Sequence, residues 1–117
     1  MQVFKTAWFG KVAKKARISD PELTAAIREA IKGQADDLGG GVYKKRLNGN
    51  MHRSIVLAKG GRHWIFAYLF AKKDRDNIDT SELAAFRKLA QGYSRMTDAE
   101  LVSALSQGDL LELSDEE

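Results

Sequence analysis

The sequence predicts an α+β fold in which N-terminal helices pack on one face of a small antiparallel β-sheet and C-terminal helices follow. Helical periodicity in the first and last thirds, strand alternation between turn residues in the middle third, and a length of 117 residues support this prediction. One domain is expected over residues 1–117. With 44% hydrophobic and 30% charged residues, the composition is that of an ordinary globular protein.

The first third predicts a short strand at residues 2–5 and then two helices. The apolar positions of the first helix recur at helical spacing: Trp8, Phe9, Val12, Ala13 and Ala16. A capping box begins the second helix, in which the Ser19 hydroxyl accepts from the Glu22 amide and the Glu22 carboxylate reaches back. A polar run then leads to a glycine-rich flexible hinge at residues 39–41.

The middle third predicts a three-stranded antiparallel meander over residues 42–47, 51–58 and 62–72. The turns at residues 48–50 and 59–61 have the Asn and Gly composition of hairpins. Two further helices begin at Asp79 and Thr97, each followed three residues later by a glutamate that completes a capping box. Three leucines in the acidic tail, residues 108–117, fit an edge strand or a contact with a partner.

The charges are segregated along the chain. Residues 1–75 carry 16 Lys/Arg and 6 Asp/Glu, a net charge of +10, whereas residues 76–117 carry 3 and 10, a net charge of −7, which together give +3. Nine basic residues and one acid lie between positions 38 and 75. Such a basic stripe attracts a polyanion.

Several classes of site are excluded or disfavoured. The absence of cysteine excludes disulfides, thiolate zinc sites and cysteine nucleophiles, and with two histidines no metal site is expected. No cofactor is expected either. The glycine run lacks the Gly-Lys-Ser/Thr that follows in a P-loop, and it is therefore interpreted as a hinge. Since no signal peptide and no long apolar run is present, we expect a cytoplasmic protein without membrane contact.

Strand alternation selects candidate functional residues. Lys44 and Arg46 share a face of the first meander strand, and because cations are costly to bury without an anionic partner, this face is expected to be open to solvent or to a ligand. Arg53 of the next strand can join it, and Lys72 and Lys73 end the third strand nearby. A solvated sheet face covered in Lys and Arg is the alternative.

The third strand adds aromatic candidates. Alternation places Trp64, Phe66, Tyr68 and Phe70 on one face. The first two are expected in the core, whereas Tyr68 and Phe70 lie nearer the lysine pair, where rings beside cations suit base stacking. Plain packing is an equal alternative for Tyr68. His52 is a candidate for proton transfer, with a surface role as the alternative.

Three segments of the sequence form a specific set: residues 37–46 (DLGGGVYKKR), 52–56 (HRSIV) and 68–78 (YLFAKKDRDNI), and F-A-K-x-x-R-x-N-I in the last is the most specific pattern. Together they resemble toxins of bacterial toxin–antitoxin modules in the RelE/ParE superfamily, particularly its HigB-like branch. The resemblance spans nearly the whole chain. It implies a RelE-like fold and a toxin that cleaves mRNA in the ribosomal A site and is neutralised by a cognate antitoxin, typically a helix-turn-helix DNA-binding protein.

The resemblance also implies site residues, on the face that alternation selects. The catalytic cations would be Lys44, Arg46, Arg53, Lys72 and Lys73. Around them we expect RNA contacts from Lys45, His52, Arg62, Tyr68, Phe70 and Arg75. Arg46 and Arg53 are assigned to phosphate, while the general base is left open among His52, Tyr68 and a lysine.

The implied reaction is metal-independent cleavage of RNA by its own 2′-hydroxyl. A base takes the 2′ proton, an acid protonates the leaving oxygen, and fixed cations stabilise the phosphorane. ParE-like relatives share the fold but poison DNA gyrase and lack the full set of cations, so the set retained here favours a nuclease. A gyrase inhibitor and a non-catalytic RNA-binding module are the alternatives. Shielding of the basic face by the acidic tail is a rival to neutralisation by an antitoxin.

Overall fold

A computed structural model describes residues 1–59 and 63–113. Within these residues the chain forms six strands and four helices. In chain order they are β1 (Gln2–Thr6), α1 (Ala7–Lys15), α2 (Asp20–Ile31), β2 (Asp36–Gly39), β3 (Val42–Leu47), β4 (His52–Lys59), β5 (His63–Ala71), α3 (Thr80–Ser94), α4 (Asp98–Gln107) and β6 (Leu110–Leu113). The α+β class is confirmed. Part of the predicted β4–β5 turn lies outside the described residues.

The six strands form one sheet in the order β2-β3-β4-β5-β1-β6. The meander β3-β4-β5 is antiparallel, as the turn residues predict. β1 adds to it in parallel with β5, so that Val3 lies opposite Trp64, and β6 pairs antiparallel with β1. The C-terminal edge strand is thus confirmed, whereas β2 occupies the segment predicted as a polar connection.

Helices cover both faces of the sheet. Phe9 of α1 and Leu23 of α2 belong to an apolar cluster that includes Phe66 of β5. Ala90 of α3 belongs to a second cluster that includes Ile55 of β4. The face under α1 and α2 is called the N-face, and the face under α3 and α4 is called the C-face. The predicted packing of the N-terminal helices on one face is present, and the C-terminal helices cover the other.

The helices begin at the predicted caps. Asp79 and Thr97 each form a complete capping box with the glutamate three residues later, and the Ser19 hydroxyl accepts from the Glu22 amide at 3.3 Å. The Glu22 carboxylate departs from the prediction, because it accepts from the backbone N–H of Asn48 at 2.5 Å. This contact ties the start of α2 to the β3–β4 turn.

The predicted hinge at residues 39–41 forms a tight turn against α3. Gly39, Gly40 and Gly41 have φ of 84°, 65° and 82°, a backbone conformation that other residues rarely adopt. A β-carbon on Gly40 would lie 2.8 Å from the Arg87 side chain, whose guanidinium donates to the Leu38 carbonyl. The β2–β3 connection is therefore fixed by a side chain of α3.

β5 contains a bulge at Ala67. Ile55 of β4 lies opposite Tyr68, but the next residue, Val56, lies opposite Phe66, which leaves Ala67 as an extra residue. A bulge sets two residues of one strand against one of its partner and so resets the alternation of faces. Tyr68 accordingly packs in the C-face cluster, whereas Phe66 packs in the N-face cluster. The prediction of one shared face for the aromatic residues of this strand is wrong for this reason.

Candidate functional site

A cleft of about 600 Å³ opens where the β3–β4 turn meets the end of β5. The turn, the first residue of β4 and the chain leaving β5 all contribute to its wall. The wall consists of Gly49, Asn50, Met51, His52, Ala71, Lys72, Lys73 and Asp76. Three of the predicted site residues, His52, Lys72 and Lys73, therefore come together here.

The strand ladder positions Lys72 and Lys73. The last pair of β4 and β5 is His52 with Ala71, and one step further the Lys72 amide donates to the Met51 carbonyl at 2.9 Å. Both lysines are exposed. An anion that enters the cleft would meet two ammonium groups at the end of β5, where the turn before β4 holds the backbone of Lys72.

His52 contacts the side chain of Asn48. The Asn48 amide nitrogen Nδ2 lies 3.1 Å from His52 Nδ1 and 3.5 Å from the carbonyl oxygen of Ala16. Asn48 has φ of 55°, a left-handed conformation that Asn tolerates better than most residues. The sequence pattern predicts Asn48 only as a turn residue and Glu22 only as a cap, because no local pattern reports contacts that fold α2 against this turn.

Arg53 lies beside the cleft but is buried. It is 7% exposed, and its Nη1 donates to the carbonyls of Asn50 and His52 at 3.0 and 3.2 Å. α3 packs over β4, so the C-face is covered at this strand. The expectation that Arg53 lies on an open sheet face is wrong, because the guanidinium is directed into the backbone of the turn.

The cations of β3 divide between the two faces as alternation predicts. Lys44 and Arg46 share the C-face with Arg53, and Arg46 lies directly opposite Arg53. Lys44 lies 3.7 Å from an aspartate of β2. Lys45 points to the N-face, is 8% exposed and pairs with Glu29 of α2 at 2.9 Å. A carboxylate of the protein thus already compensates Lys45.

Arg46 is exposed at a hollow that adjoins the cleft. This hollow and the cleft share Gly49 and Asn50 in their walls. The hollow is also lined by Glu22, which accepts from the Asn48 amide, and by Glu29, which pairs with Lys45, so an anionic ligand that extends from the two lysines to Arg46 would pass two carboxylates.

Tyr68 and Phe70 belong to an aromatic cluster and do not line the cleft. The Tyr68 ring stacks on Trp8 of α1 at 5.3 Å between centroids and lies 5.8 Å from Phe86 of α3. Phe70 is 5.9 Å from Tyr68 and 7% exposed. Trp8, which was predicted on the apolar face of α1, is the exposed end of this cluster, at 48%. The contacts of Tyr68 favour the packing alternative.

Arg75 forms a two-point ion pair with Glu82 of α3. Its Nη1 donates to Glu82 Oε2 at 3.0 Å, its Nη2 donates to Oε1, and the guanidinium lies 5.5 Å from the centre of the Phe70 ring. The hydrogen bonds between the two side chains raise the pKa of Arg75 and lower that of Glu82. Glu82 also accepts from the Asp79 amide. An RNA phosphate would have to compete with this carboxylate for Arg75.

The remaining predicted contact, Arg62, lies outside the described residues. Among residues 1–59 and 63–113, no group of three or more His, Asp or Glu side chains is arranged to hold a metal ion. None of the helices in that part of the chain is long and apolar enough to cross a membrane.

The fold and the cleft define a small α+β protein with a cationic site at the end of its central strands. A family model described as the RelE toxin of the RelE / RelB toxin-antitoxin system matches residues 1–113. The chain therefore belongs to the RelE toxin family and is the toxin of a toxin–antitoxin system, with a cognate antitoxin as partner. Toxins of this family are generally endoribonucleases. Neither a search of curated proteins nor a search of solved structures gave a match.

Proposed function

We propose that this chain is a metal-independent endoribonuclease that cuts mRNA on the ribosome and thereby inhibits translation. The observation that carries the proposal is the cleft in which His52, Lys72 and Lys73 meet. Membership of the RelE toxin family supports a nuclease, and the F-A-K-x-x-R-x-N-I pattern that forms part of the cleft supports the HigB-like branch. A cytoplasmic location, where mRNA and ribosomes are found, belongs to the same proposal.

The cleft offers groups for each step of the reaction. The 2′-hydroxyl loses its proton to a base as its oxygen bonds to phosphorus, and the bond from phosphorus to the 5′-oxygen breaks as that oxygen takes a proton from an acid. Lys72 and Lys73 supply positive charge for the phosphorane and, as ammonium groups, a proton for the leaving oxygen. His52, Asp76 or a lysine in its amine form can take the 2′ proton.

The surroundings of Arg53 and Arg46 lead us to assign these two predicted catalytic cations to roles other than catalysis. Arg53 is buried against the turn, so we assign it to holding the cleft wall in place. Arg46 is exposed in the adjoining hollow, and we assign it to a flanking phosphate of the RNA. A cleft of about 600 Å³ lies in the usual range for small-ligand sites, which suits the nucleotides on the two sides of one scissile phosphate.

The proposed function is tested with purified protein at one concentration in three assays. Two of them measure cleavage of ribosome-bound mRNA and of the same RNA without ribosomes, and the third measures inhibition of supercoiling by DNA gyrase. We expect cuts in the ribosome-bound mRNA in the presence of a metal chelator, with cyclic phosphate and 5′-hydroxyl ends, and unchanged gyrase activity. A 2′-deoxy substitution at the cut site should prevent cleavage. Gyrase inhibition with intact RNA would support the ParE-like alternative, and binding without cleavage would support the RNA-binding module.

For the antitoxin we propose a helix-turn-helix DNA-binding protein with an acidic, amphipathic segment that covers the basic stripe. The complex should weaken as salt is added. The rival account, in which the chain's own acidic tail shields the cleft, is less favoured because Leu110 and Leu113 of β6 are 1% and 4% exposed and pair with β1. Removal of residues 108–117 should therefore destabilise the sheet without raising activity on RNA.

A further inference from the structure

We infer that Asn48 is a positioning residue that fixes the tautomer of the neutral His52 imidazole, with the proton on Nε2, so that His52 presents a hydrogen-bond donor to the cleft. That the His52 N–H donates to a phosphate oxygen of RNA rests on the proposed function, whereas the position of the ring proton does not. His52 would then stabilise charge on the phosphorane and would not act as the general base.

The Ala16 carbonyl determines the orientation of the Asn48 amide. A backbone carbonyl can only accept a hydrogen bond, so the Asn48 atom that faces the Ala16 oxygen at 3.5 Å is the amino nitrogen Nδ2. The same nitrogen lies 3.1 Å from His52 Nδ1. The side-chain amide nitrogen of Asn carries two hydrogens and does not accept hydrogen bonds, so it can donate one hydrogen bond to each of these partners.

The orientation of the amide determines the position of the His52 proton. Because Asn48 Nδ2 donates, His52 Nδ1 must accept and carries no proton. A neutral imidazole has one N–H group, which is then on Nε2. An imidazolium would also carry a proton on Nδ1 and would direct it at the Asn48 amino group. Nδ1 is thus occupied, and Nε2 is the ring nitrogen that remains for a ligand in the cleft.

The backbone around Asn48 keeps this arrangement in place. Its N–H donates to the Glu22 carboxylate of α2, and from a backbone with positive φ its side chain reaches the Ala16 carbonyl and His52. The ring is therefore oriented through two connections to the N-terminal helices. A neutral imidazole that donates through one nitrogen while the other is held by the protein is an established way to stabilise developing negative charge.

The position of the proton is measured by nitrogen NMR of the full chain labelled in histidine, with His63→Gln used to assign the two rings. In the parent chain we expect the unprotonated ring nitrogen of neutral His52 to be Nδ1. Asn48→Asp presents only an acceptor at this point and should move the proton to Nδ1. Asn48→Gly keeps the positive φ but removes both contacts, and the two ring nitrogens should then give averaged signals.

A proton on Nδ1 in the parent chain, or the same pattern in the parent and Asn48→Asp, would overturn the inference.

In the cleavage assay, His52→Gln retains an N–H donor and should keep more activity than His52→Ala, while Asn48→Asp should lose about tenfold or more of kcat. Complete loss of activity in His52→Gln, with an intact fold, would contradict a donor role. If the parent chain cuts no RNA, the proposed function fails, and the NMR result still decides whether Asn48 fixes the tautomer.

Discussion

Arg46 and Arg53 lie directly opposite each other on β3 and β4, yet Arg46 is exposed and Arg53 is 7% exposed. Like charges at directly opposed positions of a sheet repel each other. Here the Arg53 guanidinium is directed away into the turn, where the Asn50 and His52 carbonyls accept its hydrogen bonds. Two arginines with the same sequence signal therefore have different surroundings: Arg46 is exposed, whereas Arg53 is buried against the turn beside the cleft.

The first prediction concerns this pair. Arg53→Ala should lower the free energy of unfolding by about 2 kcal/mol, because it removes a buried side chain that donates to two backbone carbonyls. Arg46→Ala, at the exposed position, should change it by less than about 0.5 kcal/mol. Urea unfolding of both variants measures the difference. Equal stability of the two would show that Arg53 does not hold the turn.

The second prediction concerns Tyr68. Tyr68→Phe should retain RNA cleavage, because the ring packs between Trp8 and Phe86 and the cleft wall does not include it. Tyr68→Ala should lower the free energy of unfolding by about 2 to 4 kcal/mol through loss of these contacts. A stable Tyr68→Phe variant without nuclease activity would assign the hydroxyl to catalysis instead.

The third prediction concerns pH. The hydrogen bonds from Arg75 and from the Asp79 amide lower the pKa of Glu82 below its ordinary value of 4.5. A carboxylate whose pKa is lower in the folded state stabilises the fold fully above the unfolded-state pKa, and the stabilisation is lost as pH falls through the folded pKa. The urea midpoint should therefore decrease as the pH falls below about 4.5.

Glu82→Gln is the matched variant for this measurement. It keeps the size of the side chain and removes the charge that Arg75 pairs with, so its urea midpoint should fall less steeply over the same acidic range. Asp79 should still contribute, because its pKa is lowered by the hydrogen bond from the Glu82 amide and then by that from the Ser81 hydroxyl. An unchanged acid dependence in Glu82→Gln would show that the Arg75 pair does not stabilise the start of α3.

Features that depend on neighbouring residues were predicted well from the sequence. The helix starts at Asp79 and Thr97 follow from capping boxes, in which the N-cap residue and its glutamate are three positions apart. The strands follow from the alternation of apolar and polar residues between turn residues. The convergence of His52 with Lys72 follows from the hairpin register, because the end of one antiparallel strand lies beside the start of the other.

Features that depend on tertiary contacts were not predictable in this way. The sequence of β5 gives no sign of the bulge at Ala67, which moves Tyr68 to the face opposite the one that alternation predicts. Arg53 donates to two backbone carbonyls at the turn, and Arg75 pairs with a carboxylate of α3. Nothing in the sequence around a basic residue shows whether such a partner will bury it. The charge pattern therefore indicated the region of the candidate cleft but not which of the cations are exposed there.

The most direct test of the nuclease assignment is primer extension on a translated mRNA after brief induction of the chain. The parent is compared with Lys72→Ala, Lys73→Ala and the control Lys32→Ala, an exposed lysine at the end of α2 remote from the Glu22 contact with the turn. All three variants should remain within about 0.5 kcal/mol of the parent in urea unfolding. We expect codon-phased cuts with the parent and Lys32→Ala and their loss in Lys72→Ala and Lys73→Ala. Unchanged cuts in the folded Lys72→Ala and Lys73→Ala variants would contradict the placement of the active site in this cleft.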